Sequence, residues 1–189
     1  PNLAQVPSDE RFRKLFKATP GQILVSADLS GIELRMLAHY LSRFDKGRYA
    51  EILLNGDIHQ TNADKIGVTR RQVKTISYAF LYGSGNLRLG KTYDKSLTEN
   101  QAKKKGKEIR EAYIATIPGL KELLEAVHKA STRGYVRGLD NRHIIVDSKH
   151  KSLNYLLQGS SAVLAKKWLA IAYERKPKSA HQLAFIHDE

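Results

Sequence analysis

The sequence predicts a helix-rich α+β fold carrying a small antiparallel sheet. Three observations lead there. Thr69 with Gln72 and Thr98 with Gln101 are capping-box signatures, each opening a helix. Leu34, Leu37, Ala38 and Leu41 recur with helical period. Two short β-prone stretches flank the turn signal Leu139-Asp140-Asn141, as in a hairpin.

Taken in order, residues 23–27 form a short apolar run closing on Asp28 and read as a buried strand with an acid at its C-terminal end. A tight turn then leads into the helix marked by Leu34 to Leu41. The Thr69 cap and a stop at Gly83 bracket a helix over 70–82, where Arg70, Lys74, Tyr78 and Tyr82 fall four apart. They form one slowly drifting stripe, roughly 18 Å long at about 1.5 Å per residue. A second, charged helix opens at Thr98, and a third begins at Pro118 and runs to about 133. Residues 135–136 and 143–146 read as the hairpin strands, 152–174 as a helix, and 182–186 as a buried strand ending in His187-Asp188-Glu189.

At 189 residues the chain suits one domain, or one domain plus a lobe, and no repeat, low-complexity stretch or linker divides it. No run approaches the roughly 18 apolar residues of a membrane span. The absence of cysteine excludes disulfides, thiolate zinc sites and cysteine nucleophiles. The chain opens on Pro1 and stops at Glu189 directly after an apolar run, so it is expected to be part of a longer protein. Net charge is +13, and residues 65–110 carry 12 basic against 3 acidic side chains, or +9. Lys103, Lys104, Lys105 and Lys107 alone read most simply as a solvated helical face, but a local excess of this size in a basic protein points to a polyanion such as nucleic acid.

Three constellations could carry chemistry. Asp28 and Asp188 lie 160 residues apart in sequence, each ending an apolar run. Carboxylates so placed are held rigidly where water and ligand can reach, which suits a hard divalent cation such as magnesium, although a single Asp ending a strand is usually a turn residue. The stripe Arg70, Lys74, Tyr78, Tyr82 sets cations at the positive end of a helix dipole and tyrosine faces beyond it, a cradle for a triphosphate, sugar and base. Taken alone, it reads equally well as a solvated face with two core tyrosines. Finally, Gly85-Asn86-Leu87-Arg88-Leu89-Gly90-Lys91-Thr92 matches the P-loop pattern of nucleotide hydrolases. A P-loop joins a strand to a helix, whereas this one follows a capped helix, so a chance match is the expectation.

The motifs also fall into a recognisable order. Ser26-Ala27-Asp28-Leu29-Ser30-Gly31-Ile32-Glu33-Leu34-Arg35 resembles motif A of family A DNA polymerases, the relatives of bacterial DNA polymerase I. The segment from Arg70 to Gly83 resembles their motif B, and His187-Asp188-Glu189 their motif C. Residues 1–7, 56–59 and 153–158 are similar to further family segments, with wording nearest the replicases of short-tailed bacteriophages. The resemblance implies a partial right-hand fold: palm over 1–50, fingers over 51–134, and palm again over 135–189, truncated at motif C.

It further implies a template-directed DNA polymerase adding deoxynucleotides to a primer 3′-hydroxyl in phage DNA replication, within the cytoplasm of an infected bacterium. Asp28 and Asp188 would bridge two magnesium ions, with the Leu29 carbonyl as a further ligand and Glu189 in support. Arg70 and His59 would grip the outer phosphates; Lys74 would contact the inner ones and protonate the leaving group. Glu33 resembles the gate that excludes a ribose 2′-hydroxyl, and Tyr78 the sugar-sensing residue whose identity as Tyr implies ready use of dideoxynucleotides. Tyr82 would stack beside the insertion site, while Arg142, Asn154, Gln158 and His187 would contact the primer terminus. Primer-template DNA and dNTPs are the implied partners, with a processivity factor and a helicase engaged through regions outside this sequence, and no membrane. Ser77 and Ala79 depart from the family pattern in motif B, which bears on helix packing. The isolated piece is expected to be inactive. A non-catalytic nucleic-acid-binding module and a single-subunit RNA polymerase are the other readings, with Glu33 favouring DNA.

Overall fold

The computed structural model of the chain describes residues 6, 7 and 9–186. Among them are helices α1 (Glu10–Arg13), α2 (Ile32–Asp45), α3 (Arg48–Asn55), α4 (Ile58–Ile66), α5 (Arg70–Leu81), α6 (Asn86–Tyr93), α7 (Glu99–Thr116), α8 (Leu120–Ser131) and α9 (Ser152–Arg175). Strands β1 (Tyr135–Arg137) and β2 (His143–Ile145) pair antiparallel, with Val136 opposite Ile144. The predicted helix-rich fold with a small antiparallel sheet is what forms. The chain divides into two units, Glu33–Ser161 and the remainder, Pro1–Ile32 with Ala162–Glu189.

Within the larger unit, local sequence sets the helix ends. Both capping boxes are present: Thr69 accepts from the Gln72 amide while the Gln72 side chain accepts from the Thr69 amide, and Thr98 and Gln101 repeat the arrangement. At the other end of α5, Gly83 takes φ 69°, a left-handed turn that glycine adopts without strain. Tyr82 is therefore the C-cap rather than the last helical residue. The third helix starts at Leu120, two residues later than Pro118 predicts, because Gly119 in left-handed conformation precedes it.

The α6–α7 pair is the tightest junction. Ala102, Gly106, Ile109 and Tyr113 form the buried face of α7 at helical spacing, leaving Lys103, Lys104 and Lys107 exposed, as a solvated face requires. A β-carbon on Gly90 would lie 1.9 Å from the Ala102 carbonyl oxygen, and one on Gly106 would lie 1.8 Å from that of Asn86. These glycines let two backbones touch. Arg110 reinforces the junction: its Nε donates to Asn86 Oδ1 at 2.8 Å, its guanidinium donates to the Ser84 carbonyl, and it lies 5.5 Å from the Phe80 ring. Elsewhere in this unit, the Tyr40 hydroxyl and Ser160 Oγ share a 2.7 Å hydrogen bond between α2 and α9.

In the smaller unit the two buried strands predicted at 23–27 and 182–186 do not form. Both segments are irregular, and Ile23, Val25 and Leu183 are exposed at 84%, 81% and 77%. An apolar run becomes a strand only where another strand completes its hydrogen-bond ladder, and neither segment pairs with a strand among the described residues. Trp168 on α9 packs against Phe185, with ring centroids 6.4 Å apart.

Candidate nucleotide-binding site

The larger unit gathers several predicted site residues around α5. Asp57 is the organiser. One carboxylate oxygen caps α4, accepting from the amides of His59 and Gln60, both at 3.0 Å; the other accepts from Arg70 Nε at 2.6 Å. The Arg70 guanidinium, helped by the α4 amides, holds the Asp57 carboxyl below the usual carboxylate range. One side chain thus fixes both the start of α4 and the direction of the cation at the start of α5.

His59 follows on α4, buried, with its ring 6.3 Å from that of Tyr78. Tyr78 and Tyr82 lie near parallel, at 6.3 Å and 23°. The Tyr82 hydroxyl donates to Glu33 Oε1 at 2.8 Å, and Glu33, in the first turn of α2, is only 6% exposed. Continuous contacts therefore run from Asp57 and Arg70 through His59, Tyr78 and Tyr82 to Glu33. Lys74 is exposed one turn beyond Arg70, close enough for its charge to act on His59.

Burial pushes the His59 imidazole down from its ordinary value; Asp57 pulls it up, and Arg70 and Lys74 push it down further. An unfolded histidine titrates near about 6.5, so below that pH the unfolded chain takes up protons before the folded one. The stability His59 contributes is full above that value and is lost as pH falls through it toward the lower folded pKa. An NMR titration is expected to give His59 a midpoint below that of a free histidine; a midpoint above it would contradict this environment.

The remaining predicted residues are placed differently. Arg142 sits on the exposed β1–β2 turn, its Nε bonded to Asp140. Asn154 Nδ2 donates to the Leu81 carbonyl at 2.9 Å, satisfying the C-terminal end of α5, and Gln158 is exposed on α9. Asp28, in the smaller unit, is exposed on the irregular segment before α2, with Leu29 half-buried beside it. His187, Asp188 and Glu189 lie outside the described residues. Among the described residues no three or more His, Asp or Glu side chains gather as a metal site.

The P-loop reading is overturned. Gly85 to Thr92 is the N-cap and body of helix α6, Gly90 is pressed against α7, and Lys91 Nζ donates to the carbonyls of Lys95 and Leu97 at 3.2 and 2.5 Å. Past the first turn of a helix the amides are used in the helix's own hydrogen bonds, so this segment does not form the open loop of amides that wraps a phosphate.

The residues not singled out from sequence are Asp57, Arg110, Tyr49 and Tyr113. Asp57 did carry a signal, since an Asp before Ile58 with Gly67 nine residues later is a helix start and stop. The helices α1, α3, α4 and α6 likewise went unpredicted, none being longer than 9 residues.

A family model for DNA polymerase family A matches residues 1–189. The DNA-directed DNA polymerases of Enterobacteria phage T3 and Escherichia phage T7 are each 33% identical over 227 aligned residues, covering 100% of this chain and 31% of theirs. The chain thus spans about a third of the length of the curated relatives it matches. In three dimensions it is similar to the POL domain of Pol1 from M. smegmatis, solved in complex with DNA primer-template and dNTP, with TM-score 0.69, 24% identity, and coverage of 100% of this chain and 37% of that one. A sequence match over the whole chain, joined to a shared fold, settles the lineage: the chain belongs to DNA polymerase family A.

Proposed function

We propose that this chain is the fingers and most of the palm of a template-directed DNA polymerase that adds deoxynucleotides to a primer 3′-hydroxyl, with palm segments at 1–50 and 135–189 and fingers at 51–134. The observation that carries this is the convergence of Arg70, His59, Tyr78, Tyr82 and Glu33 around a helix whose start is capped and positively charged. The solved relative's complex with primer-template and dNTP supports the choice of ligands.

Each group has a task its chemistry suits. Arg70 exchanges the Asp57 carboxylate for phosphate oxygens, and both anions offer a pair of oxygens that a guanidinium fork can engage together. His59, uncharged and buried before binding, gains a proton more readily once triphosphate approaches, because the anion offsets Arg70 and Lys74. Lys74, exposed on the same helix, neutralises the inner phosphates and supplies a proton to the departing pyrophosphate. Glu33, fixed by Tyr82, fills the place of a ribose 2′-hydroxyl and selects deoxynucleotides. Tyr78 contacts the sugar and Tyr82 stacks beside the insertion site, while Arg142, Asn154, Gln158 and His187 track the primer terminus.

The exposed Asp28 carboxylate and the adjacent Leu29 carbonyl are all-oxygen donors, which fits a hard cation that retains most of its water. With Asp188, and Glu189 in support, they would hold two magnesium ions, which supply Lewis-acid stabilisation of the charge developing on the phosphate oxygens.

Substituting Lys74 and Lys91 separately by Met in the full-length polymerase tests the assignment. Lys74→Met is expected to slow incorporation by roughly 10²- to 10⁴-fold, the range of a lost general acid, while Lys91→Met leaves incorporation near the parent rate. The reverse ranking would refute the proposed site.

A further inference from the structure

Arg70 is the first residue of α5, and the first turn of that helix holds no acidic residue. A cation there meets the positive end of the helix dipole, so the start of α5 calls for an anion from outside the helix. Asp57 supplies it from 13 positions earlier in the chain, with Oδ2 at 2.6 Å from Arg70 Nε. Its other oxygen has a separate task. Oδ1 accepts from the amides of His59 and Gln60, both at 3.0 Å, and so caps α4.

The two oxygens are not held with equal firmness. The α4 cap joins a side chain to backbone amides two and three residues away, a local arrangement that lasts as long as the helix does. The bond to Arg70 is a single contact through Nε between side chains that are 52% and 44% exposed. A partner that locks a binding group in one orientation is itself held by packing and by several hydrogen bonds. An exposed ion pair with one contact contributes little and gives way to a stronger anion. A triphosphate is such an anion, carrying more charge than a carboxylate and oxygens enough for a two-bond fork.

We propose that Asp57 is a positioning residue that sets nucleotide affinity: its Oδ2 holds Arg70 in the nucleotide-free enzyme and must be displaced by the triphosphate, while its Oδ1 keeps α4 capped throughout. The proposal rests on the reading of Arg70 as a phosphate-gripping residue. Because the pair is broken in the bound ground state and in the transition state alike, it weakens nucleotide binding without slowing the chemical step. The α4 cap stays in place when Arg70 leaves, so His59 keeps its position while the guanidinium moves.

The experiment uses the full-length polymerase and single-turnover incorporation of one dNTP, from which an apparent dNTP Kd and a maximal rate are read. Asp57→Asn keeps the shape of the side chain and a residue type that caps helices as well as Asp, and it removes the charge that faces Arg70. It is expected to tighten dNTP binding by about threefold, the order of an exposed ion pair, with the maximal rate unchanged. Tightening is a result that damage to the structure would not produce. In an Arg70→Ala background the same substitution is expected to change nothing further. Asp64→Asn removes a carboxylate from the same helix, one that accepts from Gln60 at 2.6 Å, and is expected to leave the Kd alone. If Arg70→Ala weakens dNTP binding while Asp57→Asn leaves it unchanged, weakens it or lowers the maximal rate, Asp57 is no competitor and the proposal is overturned, with the phosphate reading of Arg70 intact. Equal tightening in the Arg70→Ala background, or with Asp64→Asn, would mean a general effect of net charge and would also overturn it. If Arg70→Ala itself leaves the Kd unchanged, the phosphate reading falls and takes this proposal with it.

Discussion

Gly106→Ala is expected to destabilise the fold by about 3 kcal/mol or more, at the upper end for an added methyl group in a packed interior. The added β-carbon would sit 1.8 Å from the Asn86 carbonyl oxygen, 2.7 Å from its carbon and 2.9 Å from the Gly90 nitrogen. All three are backbone atoms, so no side-chain rotation relieves the clash, and α6 must move off α7. That separation uncovers Leu89 and Ala102, both fully buried, and strains the Arg110 bonds to Ser84 and Asn86. Gly90→Ala meets the Ala102 carbonyl at 1.9 Å and should behave alike. Gly85→Ala is the comparison: nothing lies within 4 Å of its β-carbon, its φ is −69°, and only its place as N-cap is affected. A cost under about 1 kcal/mol follows. Denaturant unfolding of the three variants in the full-length polymerase ranks them. Gly106→Ala no more costly than Gly85→Ala would show that the helices are not in backbone contact.

Asp28→Asn is expected to lower primer extension by at least about 10³-fold, since loss of a single fixed group facing developing charge costs that order of rate. The change removes the charge and keeps the shape, so the fold and the affinity for primer-template should persist. Residue 28 lies outside the unit that holds Arg70, His59 and Tyr78. Fluorescence anisotropy for DNA binding and single-turnover extension, measured together, separate the two. A variant that still extends primers within about tenfold of the parent rate would remove Asp28 from the chemistry.

What could be read in the sequence was local. Thr69-Gln72 and Thr98-Gln101 fix the starts of α5 and α7 because the capping side chains are three residues from the amides they serve. The turn Leu139-Asp140-Asn141 fixes the hairpin, where Asn141 takes φ 65°, a conformation Asn tolerates. The stripe of Arg70, Lys74 and Tyr78 was equally legible, since helical periodicity alone puts these side chains on one face. Other features depended on distant partners. The runs at 23–27 and 182–186 have strand composition, yet pairing, which composition does not encode, decides whether a strand exists. Gly90 looks like a phosphate-loop glycine in sequence and serves as a contact between helices in space. Asp57 reads as a helix cap, and only the fold reveals that its second oxygen holds Arg70, 13 residues further along.

By itself, then, the sequence determined the family, the helix boundaries that rest on caps, and the cationic and aromatic face of α5, because these follow from motif order and from bonds spanning three or four residues. Tertiary structure alone decided that Glu33 meets Tyr82 across 49 positions and that Gly90 and Gly106 let α6 and α7 touch. These depend on burial and on the approach of segments far apart in the chain, where packing rather than local propensity sets the free energy.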